Sequence, residues 1–596
     1  MAATPGVAAH PETAQRSALS APVETLPAPK ERNGPPIGPP SRHIDLLALA
    51  VVLVVAAVNA CLWLLSIPFH KGPDEGAHFQ VVRFILERGR LPAFHPDDLW
   101  LIKVPIGVVE TYAAFPPFAY MVAAAASAPF PEMAMWIGRL VSVLSYVGTV
   151  GFTFLTARRL FPTDRVIPGL AALVVAFLPQ FAFTAAYVNN DALAVLESAV
   201  TVWLLTGLRW DRPPARQLIA LGAVAGAIAI TKYTFYPVAL VGALAPLLPV
   251  IRQPREHSRR AVLIAGAGLV VGGWWFVRNW MLYRELIPGR VIADAKAAAG
   301  GNALFVPSNH GLNFLTLSTE TDYWSVTLHS AFGVFGFLDI YLDPHLYSLA
   351  LGVIALGGIG LVARLWRGPV RRELRVAAVV GVALTALTVF STMAISVFGE
   401  YAPQGRYLFG VLVPVAIALA AGWTWLGRLH PVLRPLPAVV VIVWFGLNLV
   451  SVIGYVVPTH FGPRSENVIV QVDQPSAPRP GNSGIEVMGW SIVEGGSEWR
   501  PFAPEVISSY RQPVQGVTIY VDGPPGVGQY HGAARYGFRR LDVSHMYGGA
   551  QPIERIGFRL VLPPGAVSPG KHRVYACAAL PTSDAPTCTN REFEVS

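Results

Sequence analysis

The chain has 596 residues, of which 53% are hydrophobic and only 14% charged, with a formal net charge of +9. Soluble domains carry roughly a quarter charged residues, so the composition excludes a soluble globular protein and indicates a polytopic membrane protein. The basic residues lie in short clusters between apolar runs, which is the pattern of topology signals and anionic-lipid contact. No nucleic-acid partner is expected.

In chain order, residues 1–42 are rich in Ala, Pro, Thr and Ser and read as a disordered cytoplasmic tail. The first apolar run starts too far in for a signal peptide and is long enough to span. Runs of about 20 apolar residues lie near 44–66, 133–157, 166–187, 190–208, 216–232, 234–250, 261–280, 346–366, 374–398, 406–427 and 434–457. This predicts a transmembrane domain over 43–460 with about eleven helices.

The stretch 111–128 is decided by charge. If it crossed the membrane, the basic clusters at 158–165, 209–216, 252–260, 364–375 and 428–434 would lie opposite the basic N-terminal flank. Laid along the outer leaflet instead, it leaves all of them on the cytoplasmic side, as the positive-inside rule requires. The Pro116-Pro117 pair also suits a surface segment. The N-terminus is then inside and the C-terminus outside, with a first outside loop at 67–132 and a long one at 281–345.

From about 465 to 596 the character changes. Short runs such as Val517–Val521, Ile556–Leu562 and His572–Cys577 alternate apolar and polar residues between turn residues, predicting a small extracytoplasmic β-sandwich. Outside the cytosol, Cys577 and Cys588 are expected to form a local disulfide, and Cys61, in the first span, to stay unpaired.

The outer side collects the chemistry-bearing residues. Asp74 and Glu75 open the first outside loop in the run Ile67–His78. One of them acting as general base would contribute about 10²–10⁴-fold to rate, and an ordinary solvated pair or a helix N-terminus is the plain alternative. His78 follows Asp74 by one helical turn, so the two could share a proton or a metal. Asn189, Asn190 and Asp191 are candidate contacts to a substrate hydroxyl or phosphate, and equally ordinary capping residues. Lys232, Arg278 and Arg406 lie near outer span ends, where snorkelling explains any one of them. Converging, they would suit a phosphate leaving group.

Four runs carry a family resemblance: Pro73–Phe79, Leu178–Phe181 with Asn189–Leu193, Ser330–Gly336, and Gln404–Leu408. They resemble a family of bacterial predicted membrane proteins of unknown function. That family in turn looks like the GT-C glycosyltransferase superfamily, which includes protein O-mannosyltransferases and the aminoarabinose transferases. Gly76 departs from the Pro expected in many relatives. The resemblance implies a GT-C-like fold over about 44–457, a catalytic carboxylate among Asp74 and Glu75, and a polyprenyl-phosphate or diphosphate sugar donor. Substrate contacts would come from His78, Asn189, Asn190, Asp191, Lys232, Arg278, Gln404 and Arg406. The runs Tyr520–Gly523 and Arg540–Val543 are similar to β-sandwich modules on bacterial surface glycosyltransferases.

The expectation is therefore an inverting glycosyltransferase at the outer face of the bacterial cytoplasmic membrane, moving sugar to a cell-envelope glycan, lipid or protein. Asp74 is favoured as base, with Glu75 steering or ligating a metal; a divalent cofactor (Mg or Mn) is left open. The competing class is a transporter or flippase of polyprenyl-linked glycans. No internal repeat of the transporter kind is visible, and the ionisable residues gather at one face rather than at mid-membrane.

Overall fold

A computed structural model describes residues 42–104, 107–299, 307–338, 340–367, 372–399, 401–461, 467–475, 484–494, 511–514, 516–540, 542–543, 555–578 and 586–596. The expected tail therefore lies outside the described residues, apart from its last position.

Helix α1 (Arg42–Ser66) is the first apolar run, followed across a tight turn by α2 (Glu75–Arg88). The chain continues through a hairpin of β1 (Leu101–Val104) and β2 (Gly107–Glu110) to α3 (Phe118–Ser127). At ten residues α3 is too short to cross a bilayer by itself. Helix α4 (Ala134–Leu160) returns through the bundle.

Helices α5 (Ile167–Ala176), α6 (Pro179–Thr184), α7 (Asp191–Thr206) and α8 (Ala215–Ala229) are short, and α9 (Tyr236–Leu244), α10 (Pro254–Gly268) and α11 (Trp274–Tyr283) follow. The long segment 284–343 holds α12 (Gly289–Ala298), α13 (Phe314–Thr319), α14 (Tyr323–Phe332) and the small hairpin of β3 (Val334–Phe335) and β4 (Ile340–Tyr341). Helices α15 (Pro344–Arg367), α16 (Arg372–Phe398), α17 (Leu412–Leu429), α18 (Leu436–Leu449) and α19 (Val457–Phe461) complete the bundle.

Among the described residues, eight helical stretches are long and apolar enough to cross a membrane, and each coincides with an expected span. The other three expected spans, near 166–187, 190–208 and 216–232, are helical but shorter or broken. The break after α5 falls before Pro179, which cannot continue the ladder. Inside a membrane the carbonyls so freed need partners. Ala176 O accepts from Asn59 Nδ2 at 2.9 Å, and Val174 O accepts from Trp444 Nε1 at 3.0 Å. Asn59 is itself held by Asn448, whose Oδ1 accepts from Trp63 Nε1 at 2.9 Å. A buried amide chain from α1 and α18 thus closes the broken end of α5.

Helices α15 and α17 approach to backbone contact. A Cβ on Gly422 would lie 1.9 Å from Gly357 O, so only glycine permits this crossing.

The C-terminal domain is antiparallel β throughout. Its strands are β5 (Asn467–Gln474), β6 (Ile485–Glu494), β7 (Arg511–Pro513), β8 (Val517–Val521), β9 (Gln529–Phe538), β10 (Gly557–Leu562), β11 (Gly570–Ala578) and β12 (Thr587–Val595). They follow one path, β12-β11-β8-β9-β10-β6-β5, with β7 added on β6. The sandwich-like alternation is present, as in β8, whose Val517, Ile519 and Val521 face the core. The sheet is continuous rather than divided in two, and it curls so that Arg591 of β12 donates to Val472 O of β5 at 3.0 Å. Cys577 and Cys588 face each other across β11 and β12 and form the expected disulfide, while Cys61 is unpaired.

The bridge closes a loop of sequence separation 11, for which chain entropy gives about 2–3 kcal/mol. Cys577→Ser should lower the β domain's resistance to limited proteolysis to that of reduced wild type. Equal digestion of oxidised wild type and variant would count against this.

Candidate active site

The two adjacent acids have opposite surroundings. Glu75 is fully buried and accepts four hydrogen bonds. Arg139 of α4 supplies Nε and Nη2, both at 2.7 Å, and the backbone N–H groups of His70 (2.8 Å) and Val188 (3.1 Å) supply the others. Arg139 is itself 1% exposed, donates to Ile67 O (2.7 Å) and Pro68 O (3.0 Å), and lies over the Phe69 ring. A bidentate buried pair with every remaining site satisfied is the geometry that offsets desolvation. Glu75 thus has no free lone pair directed at a substrate.

Asp74, one residue earlier, is exposed, and its carboxylate accepts a hydrogen bond from Tyr112 Oη at 3.2 Å. Its φ of 58° is left-handed, a conformation that costs a non-glycine residue about 1 kcal/mol or more, least for Asp and Asn. The anchoring of Glu75 holds this turn and aims Asp74 outward.

His78 is buried one turn below. Its Nδ1 lies 2.7 Å from Tyr120 Oη, and its ring packs 4.2 Å from that of Tyr112. Burial first, then the nearby charges of Lys232 and Arg406, push its pKa down to about 3, against the pull of Asp191. The imidazole is therefore neutral at physiological pH. Burial, with Asp74 second, pushes the Tyr112 phenol well up, keeping it a donor to Asp74.

The cations gather around Asp191, at the start of α7. Its buried carboxylate pairs with Lys232 Nζ at 2.8 Å and Arg406 Nη1 at 3.5 Å. Lys232 also donates to Asn190 Oδ1 at 3.1 Å, and Arg406 Nε to Gln404 Oε1 at 2.7 Å. The ring of Tyr407 lies near both cations. Asn189 acts as a cap: its Oδ1 accepts from the N–H groups of Asp191 and Ala192. Two cations share one carboxylate, leaving one positive charge in surplus.

Arg406 is placed by its neighbour. A Cβ on Gly405 would lie 2.0 Å from Ala331 N, and Gly405 N donates to Ser330 Oγ at 2.8 Å. The 330–336 run is tied in turn to α6, where Gln180 Oε1 accepts from Val334 N at 2.8 Å. Gln180 reaches Val334, Gly405 reaches Ser330 and Arg406 reaches Asp191, so three of the runs are joined by direct contact, and Glu75 ties the first to Val188, next to Asn189. The two halves of the site also sense each other: Asp74 lies within electrostatic reach of Lys232, and Tyr112 of Arg406.

Arg278 does not join them. It donates to Pro92 O at 2.7 Å and lies over Trp275, and among the described residues it has no contact with Asp191, Lys232 or Arg406. Arg139, Tyr112 and Tyr120 were not singled out from the sequence. Arg139 falls inside an expected span, where an ionisable residue is itself a signal.

A divalent cation does not fit the acids and histidine at 74–78. Glu75 is saturated by Arg139 and backbone N–H groups, and His78 Nδ1 is engaged by Tyr120. Among the described residues, no group of three His, Cys, Asp or Glu side chains could hold a metal.

A family model described as predicted membrane protein (DUF2142) matches residues 102–415, more than half of the chain; Asp74 and Glu75 precede the match. No curated protein matches the chain. Among solved structures, ArnT from Cupriavidus metallidurans bound to undecaprenyl phosphate is similar at 17% identity and TM-score 0.43, with 67% of this chain and 63% of that chain covered. The same protein in the apo state gives 15% and 0.44, with 73% and 83% covered. Archaeal AglB from Archaeoglobus fulgidus, in complex with an inhibitory peptide and a dolichol-phosphate, gives 13% and 0.39, with 68% and 55% covered. The chain thus spans less than two thirds of the undecaprenyl-phosphate-bound ArnT chain and of AglB.

Removing either member of the buried pair strands the other charge, at about 3–5 kcal/mol. Glu75→Gln and Arg139→Leu should each lower thermal stability in detergent, and the double variant should lose less than the sum of the two. Simple additivity would show that the pair is not coupled.

His78 gives a pH test. Between pH 6.5 and about 3 the native site stays neutral while the unfolded chain takes up a proton. Stability should therefore fall with falling pH, by about 1.4 kcal/mol per pH unit below 6.5. His78→Gln should remove that component of the slope. Melting curves from pH 7 to about 5 with equal slopes for both proteins would contradict it.

Proposed function

The chain belongs to the predicted membrane protein (DUF2142) family, and we propose that it is an inverting membrane glycosyltransferase. In this reading it moves a sugar from a polyprenyl-phosphate donor to a cell-envelope acceptor at the outer face of the cytoplasmic membrane. Residues 43–460 form the catalytic transmembrane unit, 465–596 an extracytoplasmic module, and 1–42 a cytoplasmic tail. The single observation that carries the reading is an exposed carboxylate at Asp74, bonded by Tyr112 and within electrostatic reach of a preorganised cation pair at Lys232 and Arg406.

The acceptor hydroxyl oxygen attacks the anomeric carbon and its proton passes to the Asp74 carboxylate. On the opposite face the bond from that carbon to the phosphate oxygen breaks. The electron pair leaves with the polyprenyl phosphate, and its negative charge is met by Arg406 and Lys232. Cations fixed before the reaction stabilise the developing charge without reorganising. Asp191 keeps them in place, since two cations side by side in an apolar setting would otherwise repel. Glu75 positions the turn, Gln404 and Asn190 orient the two cations, Asn189 caps α7, and neutral His78 supports Tyr112.

Asn tolerates the left-handed turn at position 74, so Asp74→Asn should fold as wild type. It should lose about 10²–10⁴-fold in sugar release from radiolabelled polyprenyl-phosphate sugars. Arg406→Gln should weaken donor binding by about tenfold or more, the loss of a charge-assisted hydrogen bond. Full turnover in Asp74→Asn would overturn the mechanism. Donor binding without turnover in wild type, together with lipid flipping in liposomes, would favour a transporter.

A further inference from the structure

The β domain carries an aromatic row that the transfer chemistry does not use. In the register of its sheet Tyr530 of β9 faces Tyr520 of β8, Tyr520 faces Tyr575 of β11, and Tyr575 faces Asn590 of β12. Residues directly opposite one another in antiparallel pairs share a face, and this face points away from the core, because Ile519 and Val521 on either side of Tyr520 are buried. The Tyr520 and Tyr530 rings are 5.4 Å apart, and Tyr530 is 57% exposed. Tyr520 and Tyr575 are half-buried and Asn590 is exposed, so the row presents partly open aromatic groups outside the core, and such a patch marks a binding surface.

The charges flanking the row say what the surface fits. Arg573 is paired with Glu592, its Nε donating at 2.9 Å. Asp522 is held by His572 at 2.7 Å and by the N–H of Arg573 at 3.0 Å, and Lys571 stands opposite Glu594. Arg573 and Asp522, the charged groups flanking the row, are thus already engaged within the domain, which leaves a charged ligand little to pair with there. A neutral polyhydroxylated ligand does find complementary groups: apolar C–H faces of sugar rings stack on rigid tyrosines, which lose little entropy on binding. Asn590 at the row's end offers both a donor and an acceptor. The strand spacing of about 4.8 Å sets successive positions of the row at intervals comparable to a pyranose unit in a chain.

We infer that the row Tyr530–Tyr520–Tyr575–Asn590 binds a neutral glycan chain, stacked across the strands. This rests on the glycosyltransferase reading only in suggesting that the glycan is the acceptor; the binding itself does not require transfer.

The test uses the full chain in nanodiscs and three soluble neutral oligosaccharides: a β-glucan, an α-mannan and a galactan. Saturation-transfer NMR reads binding. At least one should bind, and Tyr520→Ala and Tyr530→Ala should each weaken it by about tenfold, as for loss of one stacking contact. Tyr520→Phe should bind as wild type. Non-reducing gels and melting curves check that the disulfide and the fold persist in each variant. The Asp74→Asn variant should bind the oligosaccharide normally, so failure of transfer and failure of glycan binding are read separately. No binding of any of the three at millimolar concentration would overturn the inference. So would alanine variants that bind as wild type, or variants that lose only association with added lipid vesicles.

Discussion

The buried pair between Glu75 and Arg139 is the contact on which this end of the bundle depends. An ion pair removed from water is favourable only when its geometry is bidentate and its other donors and acceptors are satisfied. Both conditions hold, because Arg139 gathers the carbonyls of Ile67 and Pro68 while Glu75 gathers the N–H groups of His70 and Val188. One interaction therefore fixes the end of α1, the turn into α2, the first turns of α4 and the segment leading to α7. The left-handed backbone at Asp74 is tolerable within that frame, and the frame decides that of two neighbouring acids one is structural and the other free.

Asp191 does for the cations what Arg139 does for Glu75, with a different balance. A single carboxylate between Lys232 and Arg406 cannot neutralise both, so the cluster is held together and still attractive to an anion. Were each cation given its own acid, the site would be more stable and less receptive; with none, the cations would separate. Neutral His78 and the protonated phenol of Tyr112 fill the space between Asp74 and this cluster without altering its charge.

The sequence made several of these features legible. The acid pair was conspicuous because charge is rare in this chain, and the positive-inside asymmetry marked which face to examine. Lys232, Asp191, Asn190, Gln404 and Arg406 do converge. The division of labour between Asp74 and Glu75 was not readable, because it depends on an arginine 64 residues away from Glu75. Arg278 resembled the other two cations in position, but its helix directs it to Pro92 instead. In the β domain the alternation and the cysteine spacing identified strands and bridge. Strand order is a matter of long-range pairing, which period-two patterning does not encode.

The three expected spans that fall short of full length explain where the site is. Helices α5 and α6 part before Pro179, α7 begins only at Asp191, and α8 stops at Ala229, just ahead of Lys232. An interrupted helix frees backbone groups, which is tolerated at membrane depth only where surrounding protein satisfies them. Residues 181–190 are accordingly all buried, enclosed by longer helices whose faces carry exposed leucine, valine and isoleucine. The same interruptions place Gln180, Asn189, Asn190, Asp191 and Lys232 at helix ends, where side chains and backbone N–H groups can converge instead of radiating from a continuous rod. The long helices thus serve as shielding, and the polar motifs occur where the short helices stop.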